Sequence, residues 1–192
     1  MPVSTIDENV ALVVIDLQNS TVGRPGLTPR SGAEVVANTV RLADAFRAAG
    51  KPVVLVRMIT LGGVDAPAGR TQIGSRSGGA EPPAGWDQIV PELTGHPEDL
   101  VVSKRNWGAF HGTDLDLLLR RRGITQIVLT GVATSIGVDS SARAAYEHGY
   151  HVVVAEDAIT DLRPDAHALS TGWIFPLLGE VGTVEHILAL LK

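Results

Sequence analysis

The sequence predicts an α/β fold built on a parallel sheet with helices on both faces. Four short runs are continuously apolar and rich in valine: "VALVVIDL" (10–17), "PVVLVRMI" (52–59), "QIVLTGV" (126–132) and "HVVVAEDA" (151–158). A strand buried on both faces reads this way, whereas a strand with one wet face alternates. Segments of helical period separate the runs. Strands alternating with helices require right-handed crossovers, which cover both faces of a parallel sheet.

The elements follow in order. The first run is entered from "MPVSTIDEN" with no basic region and no small-residue cleavage site, so no signal peptide is expected. In "GAEVVANTVRLADAFRAAG", Val36, Val40, Ala43 and Phe46 form one apolar stripe, and Gly50 takes the usual C-terminal stop position. After the second run, residues 61–86 are dense in Gly, Pro and Ser. A stretch this long without structure is uncommon in a compact domain unless it covers a site, so it reads as an insertion over the pocket, part of it poorly ordered. "DLVVSK" (99–104) is a shorter strand candidate. "GTDLDLLLRRRG" offers Thr113 as N-cap, acids in the first turn, arginines in the last and Gly123 as stop, a charge order that complements the helix dipole. "SIGVDSSARAAYEHG" is a further helix ended by Gly149, and "TVEHILALLK" closes the chain with Thr183 as cap. There is no internal repeat, and residues 1–192 read as one domain.

Composition narrows the function. Hydrophobic residues make up 44% of the 192, which excludes wholesale disorder. Acidic residues exceed basic ones by five, 21 against 16, which argues against a nucleic-acid or anionic-membrane surface. No run approaches the roughly 18 apolar residues of a membrane span. The chain has no cysteine, which removes disulfides, thiolate catalysis and Cys-ligated zinc together. Cytoplasmic residence is the expectation by default.

In such a sheet, ligands sit beyond the carboxyl ends of the strands. Asp16 ends the first run in "VVIDLQN", where a carboxylate after apolar positions is costly unless paired or solvated. It is either a turn residue or a general acid/base in a partly dry pocket. Lys104 ends "VVSK" and is by itself an ordinary surface charge; beside Asp16 it would hold the carboxylate charged while burial pushes the other way. Gly137 follows "GVATSI" at a turn entering a helix, where backbone N–H groups bind anions and developing oxyanions. Its bland reading is room for packing.

Asp16 in "DLQN", the stretch "SKRNWGAFHGTDLDLLLRRRGI" and the stretch "LTGVATSIGVDSSARAAYEHGYHVVVAEDAITD", in this order, resemble the isochorismatase-like hydrolases. The resemblance runs from about Val10 to the C-terminus and is weakest through 61–95. It implies a three-layer αβα fold around a mostly parallel six-stranded sheet of Rossmann-like topology. It also implies a family triad of Asp, Lys and Cys that hydrolyses small amides through a thioester. The aspartate and lysine match Asp16 and Lys104, and the cysteine position matches Gly137. The family's non-proline cis peptide would join Val132 and Ala133, aiming backbone donors of Ala133 and Gly137 at the site. Trp107 and Thr134 become the candidate substrate contacts.

Without a thiolate the acyl-enzyme route is closed. Ser135 reads as a helix cap, Ser140 and Ser141 point away or into packing, and no histidine has an obvious partner role. The isochorismatases proper share aspartate and lysine without the cysteine. They cleave a vinyl ether, which needs a proton donor and water. They carry an aromatic residue and a histidine where this chain has Ala133, Thr134 and Ser135, so "GVATSIGVDSSARAA" reads like the amide-hydrolysing branch with its thiol position turned to glycine. Three readings stand. One is a hydrolase of a small metabolite using Asp16, Lys104 and an activated water, with Lys104 orienting Asp16 or holding a substrate carboxylate. The second is a binding or regulatory relative without catalysis. The third is an amidase working by direct water attack or by some unrecognised nucleophile.

Trp107 and Phe110 are expected to pack where strand meets helix, and Trp107 also to wall the pocket. Arg105 is solvated or meets a substrate carboxylate, and Gln18 and Asn19 stay outside the catalytic set. No metal or cofactor is expected: Asp65 stands alone before His96, histidines 111, 148, 151, 167 and 186 are scattered, and neither G-x-G-x-x-G nor G-x-x-x-x-G-K-[ST] occurs. The partners expected are a small-molecule substrate and a second copy of the chain, as a homodimer or homotetramer. Trp173, Ile174 and Phe175 either meet that copy or pack internally.

Overall fold

The computed structural model describes residues 1–59 and 82–192. The insertion expected over 61–86 therefore lies outside the described residues as far as residue 81, and with it Asp65.

Six strands form one sheet: β1 (Val10–Ile15), β2 (Val53–Met58), β3 (Leu100–Lys104), β4 (Gln126–Val132), β5 (His151–Thr160) and β6 (Gly179–Gly182), in the order β3-β2-β1-β4-β5-β6. Every pairing is parallel. Among the described residues the α-helices are α1 (Asn19–Val22), α2 (Gly32–Ala48), α3 (Leu115–Arg120), α4 (Asp139–Glu147), α5 (Pro164–Leu169), α6 (Phe175–Leu178) and α7 (Val184–Leu190).

The valine-rich runs are buried on both faces because successive side chains of a strand point oppositely. In β1, Val10, Leu12 and Val14 join Val35, Leu42 and Phe46 of α2 and Val184 and Ile187 of α7 in one core. Ala11, Val13 and Ile15 join Leu115 and Leu119 of α3 and Ala142 and Ala145 of α4 in the other. These are the three layers. At about 25 cal/mol per Å² of apolar area, each fully buried valine or leucine contributes roughly 1.5–3 kcal/mol, so β1, with all six side chains buried, anchors both cores.

The α2 stripe is wider than the four residues picked from the sequence: Val35, Thr39 and Leu42 are also buried, and Val40 sits at its edge. A 3.6-residue period fits two neighbouring ridges, and the sheet selects both. The helix begins with a capping box in which the Ser31 hydroxyl accepts from Glu34 N–H and the Glu34 carboxylate accepts from Ser31 N–H. The N-cap of α3 is Asp114 rather than Thr113, whose hydroxyl accepts from Leu115 N–H at 3.3 Å. The cap of α7 is Thr183, accepting from His186 N–H at 3.2 Å. Near the C-terminus Phe175 is buried, whereas Trp173 is 61% exposed. Among the described residues no helix is long and apolar enough to cross a membrane.

Candidate active site

The strand order reverses direction at the centre: from β1 the chain builds outward through β2 and β3, then returns to add β4 on the other side. The crevice beyond the carboxyl ends of β1 and β4 is where such sheets bind ligands. Asp16 follows β1, and the turn carrying Gly137 follows β4.

These two ends approach closely. A Cβ on Gly131, which pairs with Ile15, would lie 1.9 Å from the Ile15 carbonyl oxygen, and its φ is +121°, so only glycine fits. The Val132–Ala133 peptide is cis. Thr134–Val138 then forms a single π-helical turn, with Val138 N–H bonded to Ala133 O at 3.1 Å, before α4 begins. A Cβ on Gly137 would lie 3.2 Å from Asp16 Oδ2, 3.4 Å from Val132 O and 3.0 Å from Ile15 Cγ2. The side chain that Gly137 lacks would thus begin against the Asp16 carboxyl.

Asp16 has φ +52°, the left-handed region that aspartate tolerates better than most residues but at a cost of about 1–2 kcal/mol. Its main chain is fixed regardless: Asp16 N–H donates to Val56 O at 2.9 Å, and its carbonyl accepts from Gln18 N–H at 2.9 Å and from the Thr21 hydroxyl. Gln18 completes the clamp: its side-chain oxygen accepts from Met58 N–H at 2.8 Å and its amide donates to Met58 O at 3.1 Å. That buried amide ties the exit of β1 to the end of β2, a structural task.

Lys104 comes from β3, two strands or roughly 10 Å from β1, a gap closed by the lysine stem, the Asp16 side chain and the 2.7 Å hydrogen bond between them. It is 1% exposed, not the surface charge it would be alone. Its Nζ donates to Asp16 Oδ2 at 2.7 Å, Asn106 O at 3.1 Å and Trp107 O at 2.9 Å. An ammonium has three N–H donors, and these three acceptors use them all. Lys104 therefore orients Asp16 and has no donor left for a substrate carboxylate, which removes the second of its expected roles.

The other carboxyl oxygen, Asp16 Oδ1, is buried without a hydrogen-bond partner among the described residues. Such an orphan costs about 1–3 kcal/mol. Burial pushes the Asp16 carboxyl up to about 6, against the pull of the Lys104 ammonium.

The structure thus brings Asp16, Lys104 and the Ala133–Gly137 turn together. It treats the two substrate-contact candidates differently. Trp107 gives its carbonyl to Lys104 and is 54% exposed, whereas Phe110 is buried and stacks on His148. Thr134 is fully buried, with its hydroxyl on His167 Nδ1 at 2.9 Å. Ser135 is not a side-chain cap; its N–H donates to Asp161 Oδ2 at 2.6 Å. Ser141 lies in packing, donating to Gly137 O at 2.6 Å. Asp161 and His167 were missed by sequence reading because their partners stand 26 and 33 residues away, a separation that leaves no local pattern.

A hollow of about 690 Å³ lies nearby, lined by Asn19, Arg57, Gln88 and Val101, but it includes no acid and neither Asp16 nor Lys104. Among the described residues no group of three or more His, Cys, Asp or Glu is placed to hold a metal.

Comparison with known proteins bears on the fold and the family. The Isochorismatase domain matches residues 10–186. The chain is 41% identical over 187 residues to the uncharacterized isochorismatase family protein YwoC of Bacillus subtilis (strain 168), covering 96% of this chain and 95% of that one. It is 30% identical over 182 residues to the ureidoacrylate amidohydrolase RutB of Variovorax paradoxus (strain S110), covering 84% and 72%. A solved isochorismatase family protein from Burkholderia thailandensis superposes with a TM-score of 0.87 at 46% identity, covering 97% of each chain.

Proposed function

We propose, from the premise that the chain belongs to the isochorismatase family and is a hydrolase, that it hydrolyses a small metabolite with Asp16 as general acid/base and water as nucleophile. The reading rests on one observation above the others: a buried Asp16 carboxyl held on one oxygen by Lys104, with its second oxygen unpartnered among the described residues. Gly137 stands in the family's nucleophile position in this reading, and the cysteine-free chain offers no thiolate there. A carboxyl near 6 is close to the optimum for proton transfer at neutral pH.

The reaction class that fits a proton donor without a side-chain nucleophile is hydrolysis of a vinyl ether of the isochorismate type. Protonated Asp16 delivers its Oδ1 proton to the terminal vinyl carbon, and the ether carbon becomes oxocarbenium-like. Water adds to that carbon and returns a proton to Asp16. The hemiketal collapses, its hydroxyl proton passing to the departing oxygen, to give an alcohol and a 2-oxo acid. One water is consumed and Asp16 ends as it began. Lys104 fixes the carboxyl throughout, and the amides of Ala133 and Gly137 face substrate oxygens.

A second reading is favoured by the ureidoacrylate amidohydrolase relative: direct attack of water on a small amide or carbamoyl compound, with ionised Asp16 as base. The two differ in the direction of one pH limb. A general acid loses activity as pH rises through about 6, and a general base loses it as pH falls through about 6. The experiment is a hydrolysis panel of isochorismate, ureidoacrylate and small amides across pH, with Asp16→Asn as control. Loss of activity in Asp16→Asn with folding intact supports both readings, and the limb chooses between them. Equal turnover by variant and parent sinks both. Gly137→Cys, whose Cβ needs both the Ile15 side chain and Asp16 Oδ2 to yield by a few tenths of an ångström, gains thioester-forming amidase activity if the pocket is of the amide type.

A further inference from the structure

The turn after β4 is gripped by three side chains from one stretch of chain. Asp161 Oδ2 accepts from Ser135 N–H at 2.6 Å. His167 Nδ1 and the Thr134 hydroxyl are hydrogen-bonded at 2.9 Å. The Ser170 hydroxyl donates to Asp139 Oδ2 at 2.9 Å. The stretch is itself anchored to the frame: Asp161 Oδ1 accepts from Leu162 N–H at 2.7 Å and Arg163 N–H at 3.1 Å, and its main chain pairs with Thr28. The Thr134 contact is the grip nearest Ala133, and it is chemically exacting. Thr134 is wholly buried, so its hydroxyl depends on the imidazole for a partner.

We infer that His167 is a positioning residue: by holding the Thr134 hydroxyl it fixes the start of the π-helical turn, and so sets Gly137 against the Asp16 carboxyl. This rests on the reading of Asp16 and the turn as the active site. His167 is suited to the task as a neutral ring. Burial keeps it below the ordinary histidine range, with Arg30 adding to that and Asp161 opposing it. A neutral imidazole pairs with a hydroxyl without bringing a second cation to a carboxyl already paired with Lys104.

The test uses readouts that need no substrate: amide hydrogen exchange, and the carbon-13 titration of the Asp16 carboxyl. In His167→Ala, exchange at Ser135, Ile136, Gly137 and Val138 speeds up about ten-fold or more, while amides of β1 and α2 keep their protection. The Asp16 midpoint falls by about half a unit or more, because a loosened turn admits water. His167→Asn, whose side-chain amide can stand where Nδ1 stands, restores both. Thr134→Val reproduces the loosening, and adding His167→Ala to it causes no further change. Uniformly faster exchange across the molecule, an unmoved Asp16 midpoint, or failure of asparagine to rescue overturns the inference. These outcomes are separable from the activity of Asp16→Asn, which alone decides whether Asp16 is the acid/base.

Discussion

Replacing Lys104 by methionine is the sharpest perturbation of this site. The ammonium lies 2.7 Å from Asp16 Oδ2, and both its charge and its hydrogen bond pull the Asp16 carboxyl down while burial pushes it up to about 6. Methionine keeps the bulk and removes both downward influences. An adjacent cation depresses a carboxyl by about one to three units, so the Asp16 midpoint moves from about 6 to roughly 7–9 in Lys104→Met. The fold is also weakened. Asn106 O and Trp107 O, which accept from Lys104, lose their donor, and each unpaired carbonyl costs about 1–3 kcal/mol. A loss of about 2–6 kcal/mol in denaturant unfolding at pH 7 is therefore expected. The assay follows the Asp16 carboxyl by carbon-13 NMR against pH and, once a substrate is in hand, the pH–rate limb, which moves with it. A midpoint still near 6 would refute the claim that Lys104 tunes Asp16.

Two further outcomes are expected. A carboxyl raised from 3.8 to about 6 on folding contributes stability that is full below about pH 4 and lost as pH rises through about 6, a difference of about 3 kcal/mol; denaturant midpoints of the parent relative to Asp16→Asn, measured from pH 4 to 7.5, show that decline, and a flat difference contradicts it. The homodimer or homotetramer proposed for this chain has a ready surface in Leu169, Trp173 and Leu177, 59%, 61% and 60% exposed at four-residue spacing; light scattering gives a multiple of the 20.2 kDa chain mass, and Trp173→Ser reduces it, whereas an unchanged mass in the variant places the interface elsewhere.

What was legible in the sequence is what local pattern encodes. Four strands were visible because their apolar runs are buried on both faces, β3 was the more ambiguous because Val101 is exposed, and Gly50, Gly123 and Gly149 marked helix ends with φ of +67°, +65° and +82°. The sixth strand, Gly179–Gly182, was invisible as a pattern: four residues with two glycines carry no periodicity, and a Cβ at Gly179 would lie 2.0 Å from Val152 O, so packing against β5 rather than propensity places it. Strand β5 runs two residues past its apolar run to Thr160, because pairing with β4 resumes after a bulge and carries it on. Asp16 and Lys104 were legible singly, as charges at strand ends. Their meeting was not, since only the strand order puts residues 88 positions apart in contact. The 54% exposure of Trp107 was equally hidden, because no local pattern marks it.

Local rules of stability are broken repeatedly at one residue. Asp16 holds a left-handed backbone, a buried carboxyl and an orphaned oxygen at once, and features of this kind collect where function requires them. Two charged side chains that act as a unit cost less to remove together than the sum of removing each alone. Asp16→Asn leaves the Lys104 cation buried without its counter-ion, a change that typically costs about 3–5 kcal/mol, and Lys104→Met leaves the acid without its donor. In the double variant neither charge remains, and the two carbonyls are the main loss. Its destabilisation should fall short of the sum of the singles by about 2 kcal/mol or more, while activity stays absent. Additivity within about 0.5 kcal/mol would mean that the two side chains do not act as a unit, and the assignment of Lys104 as the residue that poises Asp16 would fall with it.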